Sequence, residues 1–203
     1  YYAFISYKRE DEKWAKWLQD RLRWYKLPSK LCRQITRLPK KVWPVFRDNT
    51  DLDSGRLEEN IRHELERSHY LIVICSPEAA RSPWVGKEVK YFATLHGADK
   101  IIPFVVSGIP YSNDIETECI HEQIKAISQE ELLAINVREE GIGSFAMKKK
   151  RAFIRVVARL LDIKFNTLWQ PYERILRIRK WSTGIGVVFI LIRFIHLVGL
   201  LPD

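Results

Sequence analysis

Apolar positions along this chain alternate between short unbroken runs and stripes at helical spacing. "YYAFISY" (1–7), "VWPVF" (42–46), "YLIVIC" (70–75), "KIIPFVV" (100–106) and "ELLAINV" (131–137) read as strands. "YLIVIC" shows no polar alternation, the signature of a strand covered on both faces, while Pro44 places the second strand at an edge. Between the runs, "DEKWAKWLQDRLRWY" (11–25) carries Trp14, Trp17, Leu18, Leu22 and Tyr25 on one helical stripe, and "LEENIRHELERS" does the same with Leu57, Ile61 and Leu65. Further helices are predicted at 84–96 and at 144–163, the latter burying Phe153, Val157 and Leu160. Regular strand–helix alternation predicts an α/β domain with a parallel sheet covered on both faces. The connection "LPSKLCRQITRLPKKVW" (27–43) is basic and proline-punctuated and reads as a surface loop.

The most apolar stretch comes last. "STGIGVVFILIRFIHLVGLL" (182–201) is long enough, as a helix of about 30 Å, to cross a hydrocarbon core. Arg193 and His196 oppose insertion, but thirteen Leu, Ile, Phe and Val residues outweigh them by a small margin. A membrane-spanning helix is therefore expected, with a buried terminal helix as the alternative. The chain divides accordingly into a domain at 1–165, a basic juxtamembrane segment at 166–181 and the span at 182–201.

Charge changes the picture in one respect. The net charge of +9 is concentrated in "MKKKRAFIR" (147–155) and "RILRIRK" (174–180). Nucleic acid would be one explanation, but no base-reading motif accompanies these clusters, and the second lies directly before the apolar span. The positive-inside rule accounts for that placement and puts everything N-terminal on the cytoplasmic side of a bilayer, without a specific nucleic-acid partner. Cys32, Cys75 and Cys119 have the spacing of neither a disulfide framework nor a metal site. The first residues already read as a strand without an initiator methionine, so the expectation is of a trimmed chain.

In an open parallel sheet, ligands bind beyond the carboxyl ends of the strands. That rule selects Ser6, Tyr7, Lys8 and Arg9 after the first strand, and Arg47, Asp48 and Gly55 after the second. After the third it selects Ser76 and Pro77, leading through "EAARSPW" to the helix that bears Glu88. Cations, hydroxyls, an aromatic ring and a carboxylate on one rim suit a ligand with phosphates, sugar hydroxyls and a flat base. Each residue also has a structural reading: Asp48 in a turn, Asp53 or Ser54 as an N-cap, Trp84 as core, Glu88 in a surface ion pair with Lys87 or Lys90.

Together these residues resemble a bacterial TIR (Toll/interleukin-1 receptor) domain. "YYAFISY" is similar to the family's first box, although Tyr2 stands where an aspartate is usual. "VFRDNTDLDSG" resembles the second box and its BB loop, and "YLIVICSPEAARSPWVGKEV" the third strand and active-site helix. The resemblance covers about residues 1–165 and implies a flavodoxin-like sheet of five parallel strands. It also implies cleavage of NAD+ at the nicotinamide–ribose bond, with NAD+ as substrate and no cofactor or metal. The family's W-x-x-x-E glutamate falls on Glu88, one turn after Trp84.

By the same resemblance Ser6, Tyr7, Lys8, Arg9, Phe46, Asp48, Ser76 and Trp84 contact the substrate, with Lys8 or Arg9 on the pyrophosphate and Trp84 on the nicotinamide. The BB loop, here Asp48, Asn49, Thr50, Asp51, Leu52, Asp53, Ser54 and Gly55, implies self-association with other TIR domains. Some family members are adaptors that only bind other TIR domains, and for them the glutamate is incidental. The intact W-x-x-x-E favours the enzyme.

Overall fold

Five of the apolar runs become the strands of one parallel sheet: β1 (Ala3–Ser6), β2 (Val45–Arg47), β3 (Leu71–Cys75), β4 (Ile101–Val105) and β5 (Ile135–Asn136). Their order is β2-β1-β3-β4-β5, the flavodoxin-like winding, in which the direction of travel reverses between β1 and β3. The two middle strands with the most complete apolar character, β3 and β4, are buried at every position. β2, preceded by Pro44, lies at the edge as its proline predicted. The computed structural model describes residues 1–35, 38–39, 41–47, 55–127, 134–138, 143–171 and 173.

Helices cover both faces. α1 (Glu12–Trp24) and α7 (Phe145–Leu160) share one face, where Trp17 stacks on Phe104 of β4 at 6.4 Å and meets Phe153 of α7 edge-on at 6.2 Å. α3 (Gly55–Glu66), α5 (Pro83–His96) and α6 (Glu122–Ile127) cover the other. There Ile61 and Leu65, Val85, Val89 and Phe92, and Ile124 pack on Phe4, Val73 and Val105. Of the stripe residues read from the sequence, Leu18 and Leu22 of α1, Ile61 and Leu65 of α3, and Phe153, Val157 and Leu160 of α7 are buried, while the side chain of Leu57 lies outside the described residues.

The 27–43 connection departs from the surface loop expected of it. Residues Ser29–Gln34 form a short helix, α2, and Leu27, Leu31 and Val42 are buried. Their aliphatic side chains are spaced too irregularly for any periodicity test to register, yet burying them anchors the connection. One further short helix, α4 (Pro77–Ala80), links β3 to α5.

Residues 1–163 form one compact unit and 164–203 a second. In the second, residues 165–171 are helical and Phe165 stacks on Trp169 at 5.6 Å. The expected span at 182–201 lies outside the described residues, as do Asp48 to Ser54 of the BB loop. Among the described residues no helix is long and apolar enough to cross a membrane.

Candidate active site

α5 begins where its sequence says it should. Ser82 caps it by accepting the Val85 N–H at 3.5 Å, Pro83 occupies the first turn, and Gly97, at φ 87°, ends it. The helix buries Val85, Gly86, Val89 and Phe92, and amid these apolar residues it also buries Glu88, which is only 8% exposed. A carboxylate in such a place is costly unless it is hydrogen-bonded. Ser6, the last residue of β1, donates its hydroxyl to Glu88 Oε2. Lys87 and Lys90, the helix neighbours, are exposed. Surface decoration is therefore excluded for Glu88.

The Ser6–Glu88 pair lies at the point where the winding reverses between β1 and β3, the position at which doubly wound sheets open a crevice. Glu88 and Trp84 both line a cleft of about 320 Å³ between α3 and α5, walled by Ile61, Leu65 and Tyr91. Trp84 is 41% exposed, and the Lys87 ammonium sits 4.6 Å from its ring centroid. A cationic ring on that face of Trp84 would take the place of a cation already there.

A second carboxylate was missed by the sequence reading. Asp11, just before α1, is 7% exposed and accepts the Ser76 hydroxyl at 2.5 Å. Burial pushes its carboxyl above the ordinary range; the Ser76 hydrogen bond works against that, and the nearby charges of Glu78 and Glu10 add to it. In sequence Asp11 is one of five consecutive charged residues in "REDEK" and carries no distinguishing mark.

The remaining candidates separate into two groups. Ser6, Glu88 and Trp84 are brought together. Ser76 is not: it is fully buried, accepts the Ala79 N–H at 3.0 Å as the cap of α4, and holds Asp11. Phe46 packs against Phe4 at 5.2 Å and Tyr1 at 5.3 Å, as part of the core on the α3–α5 face. Tyr7 accepts a hydrogen bond from Arg47 at 3.0 Å, and Arg47 also reaches Gln19 and Glu12, so it pins the end of β2 to α1. Lys8 and Arg9 are the second and third residues beyond β1, Arg9 exposed. Asp48 lies outside the described residues.

A further contact escaped the sequence. His121 packs against Gly86 so closely that a β-carbon there would stand 2.5 Å from its Cε1. Its Nδ1 accepts the Gln123 N–H at 3.0 Å, and its ring also meets the Ser82 carbonyl at the start of α5. The glycine inside the helix marks this close approach.

The order β2-β1-β3-β4-β5 with helices on both faces defines a flavodoxin-like α/β domain, here with a buried serine–glutamate pair at its switch point. Within that class the chain belongs to the TIR domain family, whose model matches residues 3–140. It is 36% identical over 110 residues to NAD(+) hydrolase ApTIR of an Actinoplanes species, an alignment covering 53% of this chain and 14% of that protein. The chain thus matches a small part of the length of that relative. The TIR domains of the activated Roq1 resistosome directly recognizing the pathogen effector XopQ share its fold, with a TM-score of 0.50 and 14% identity over 76% of this chain and 98% of that one.

Proposed function

We propose that this TIR domain is an NAD+ glycohydrolase whose essential acidic residue is Glu88. The observation that carries the reading is the buried Glu88 carboxylate, oriented by the Ser6 hydroxyl and lining a cleft with Trp84. The 36% identity to a protein named as an NAD(+) hydrolase supports it.

The chemistry suits a single carboxylate. Most glycosidases need a general acid because an alkoxide leaves poorly. When the C1′–N bond of NAD+ breaks, the electron pair stays on nicotinamide, which departs as a neutral ring with no proton supplied. The ribose centre left behind is oxocarbenium-like, and a fixed anion beside it stabilises the charge as it develops. Water adds to C1′ and releases a proton, giving ADP-ribose. Ser6 holds the carboxylate in one orientation, so little reorganisation is needed during the reaction.

The reading extends to self-association through residues 48–55 and to a bilayer anchor at 182–201, which would concentrate domains on the cytoplasmic side of a membrane. The test is nicotinamide release from NAD+ by concentrated or vesicle-clustered protein, abolished by Glu88→Ala in a protein that still folds. No release at any protein concentration would instead support a non-catalytic TIR adaptor.

A further inference from the structure

Residues 21–41 hold eight Lys and Arg and no Asp or Glu, an imbalance that the Glu88 cleft does not use. The stretch runs from the last turns of α1 through α2 to the approach to β2, and burial of Leu27, Leu31 and Val42 fixes it on the domain. Its cations are therefore displayed from set positions. Arg23, Lys26, Arg33 and Lys41 are all exposed.

An open aromatic ring sits among them. Trp24 is 74% exposed. The Arg23 guanidinium lies 5.4 Å from the Trp24 ring centroid and 5.7 Å from that of Trp43, so the approach to β2 meets the end of α1. Lys26 and Lys41 stand two residues from Trp24 and Trp43, which gathers two indoles and three cations into one patch. α1 covers the sheet face opposite α5, and the patch is thereby separated from the Glu88 cleft.

A bilayer surface with anionic headgroups has the matching chemistry. Its potential favours binding by roughly fivefold for each Lys or Arg near the surface. An indole is stable at headgroup level, where the ring meets apolar chains and its N–H meets water. A single-stranded nucleic acid fits less well, because it stacks successive bases on several open rings. Here Trp24 is open but Trp43 is half-buried.

We propose that the patch of Arg23, Trp24, Lys26 and Lys41 docks this domain on an anionic bilayer surface. The docking requires neither the glycohydrolase reading nor insertion of residues 182–201.

Lysine labelling of the full chain tests it. The chain is mixed with vesicles of phosphatidylcholine, alone or with phosphatidylglycerol, then acylated with a water-soluble succinimidyl ester and read residue by residue by mass spectrometry. On phosphatidylglycerol vesicles, labelling of Lys26 and Lys41 should fall by about fivefold. It should recover near 1 M salt, where the Debye length is about 3 Å. Lys90, on α5, should not change, and uncharged vesicles should leave all three lysines open. Arg23→Ala/Trp24→Ala, at two exposed positions, should restore Lys41 labelling on phosphatidylglycerol while keeping a cooperative thermal transition. Equal labelling on both vesicle types, or equal protection of Lys90, overturns the proposal. So does protection by a single-stranded DNA oligonucleotide but not by anionic vesicles, which would give the patch to nucleic acid. A chain that enters uncharged vesicles yet keeps Lys26 open on both lipids has an anchor and no docking surface. One that is protected on phosphatidylglycerol but does not bind phosphatidylcholine has the docking surface and no anchor.

Discussion

Glu88 occupies a position where its neighbours Val85, Val89 and Phe92 are all core residues, and a leucine there would be the ordinary choice for stability. Its carboxylate is held by a hydroxyl from a strand that ends 82 residues earlier. Removing that hydroxyl leaves the buried anion short of a donor. Ser6→Ala should therefore cost about 1–3 kcal/mol in urea denaturation and lower nicotinamide release, whereas Glu88→Ala should abolish release while retaining a cooperative thermal transition. Asp11 behaves differently. Its folded-state pKa is raised, so burial of its charge opposes folding at neutral pH, and the penalty disappears below the ordinary carboxylate range. Asp11→Asn, which still accepts from Ser76, should raise the urea midpoint at pH 7 and show a shrinking advantage as pH falls through 4. An unchanged midpoint at pH 7 would count against the burial argument.

At the scale of elements, α5 is positioned by what packs on its glycine. Alanine at position 86 would gain about 1 kcal/mol in helix propensity but would drive a methyl group into His121, an overpacking cost of about 1–3 kcal/mol. Gly86→Ala should thus be destabilising in the native background and less so beside His121→Ala, a difference that a double-mutant cycle measures. The same histidine makes this junction sensitive to acid. Burial lowers its pKa from 6.5, with Glu122 and the Ser82 carbonyl pulling the other way. As pH drops, the unfolded chain takes up this proton first. The histidine's contribution is full above about pH 6.5 and is lost below it. Denaturation midpoints at pH 7.5 and 5.5 should differ less in His121→Gln than in the native chain.

At the scale of the whole molecule, the proposed self-association and bilayer anchor each carry a measurable consequence. If neighbouring domains complete one another's sites, nicotinamide release should rise more steeply than linearly with protein concentration; strict linearity with a monomer throughout would contradict this. If residues 182–201 enter a bilayer, the full chain should float with uncharged liposomes in a density gradient and residues 1–163 should not. The five strands and the helices α1, α3, α5 and α7 were legible in advance because each announces itself through its own apolar pattern, whereas α6 (Glu122–Ile127) was not predicted. Residues 27–43 were not, since Leu27, Leu31 and Val42 are buried without any repeat to reveal them.

Local spacing was enough to determine the alternation of strands with α1, α3, α5 and α7, the edge position of the strand after Pro44, and the buried stripe positions Leu18 and Leu22 of α1, Ile61 and Leu65 of α3, and Phe153, Val157 and Leu160 of α7. Each of these depends on residues within a turn or two of one another. Tertiary structure alone decided which polar residues meet. Ser6 and Ser76 looked equivalent, each a serine at the end of a buried strand, yet one binds Glu88 and the other binds Asp11, 65 residues away. Nothing near either serine distinguishes them, because the choice of partner follows from strand order and from which helix crosses which strand end. Periodicity reports which side of an element faces inward, and only the assembled sheet decides what it faces.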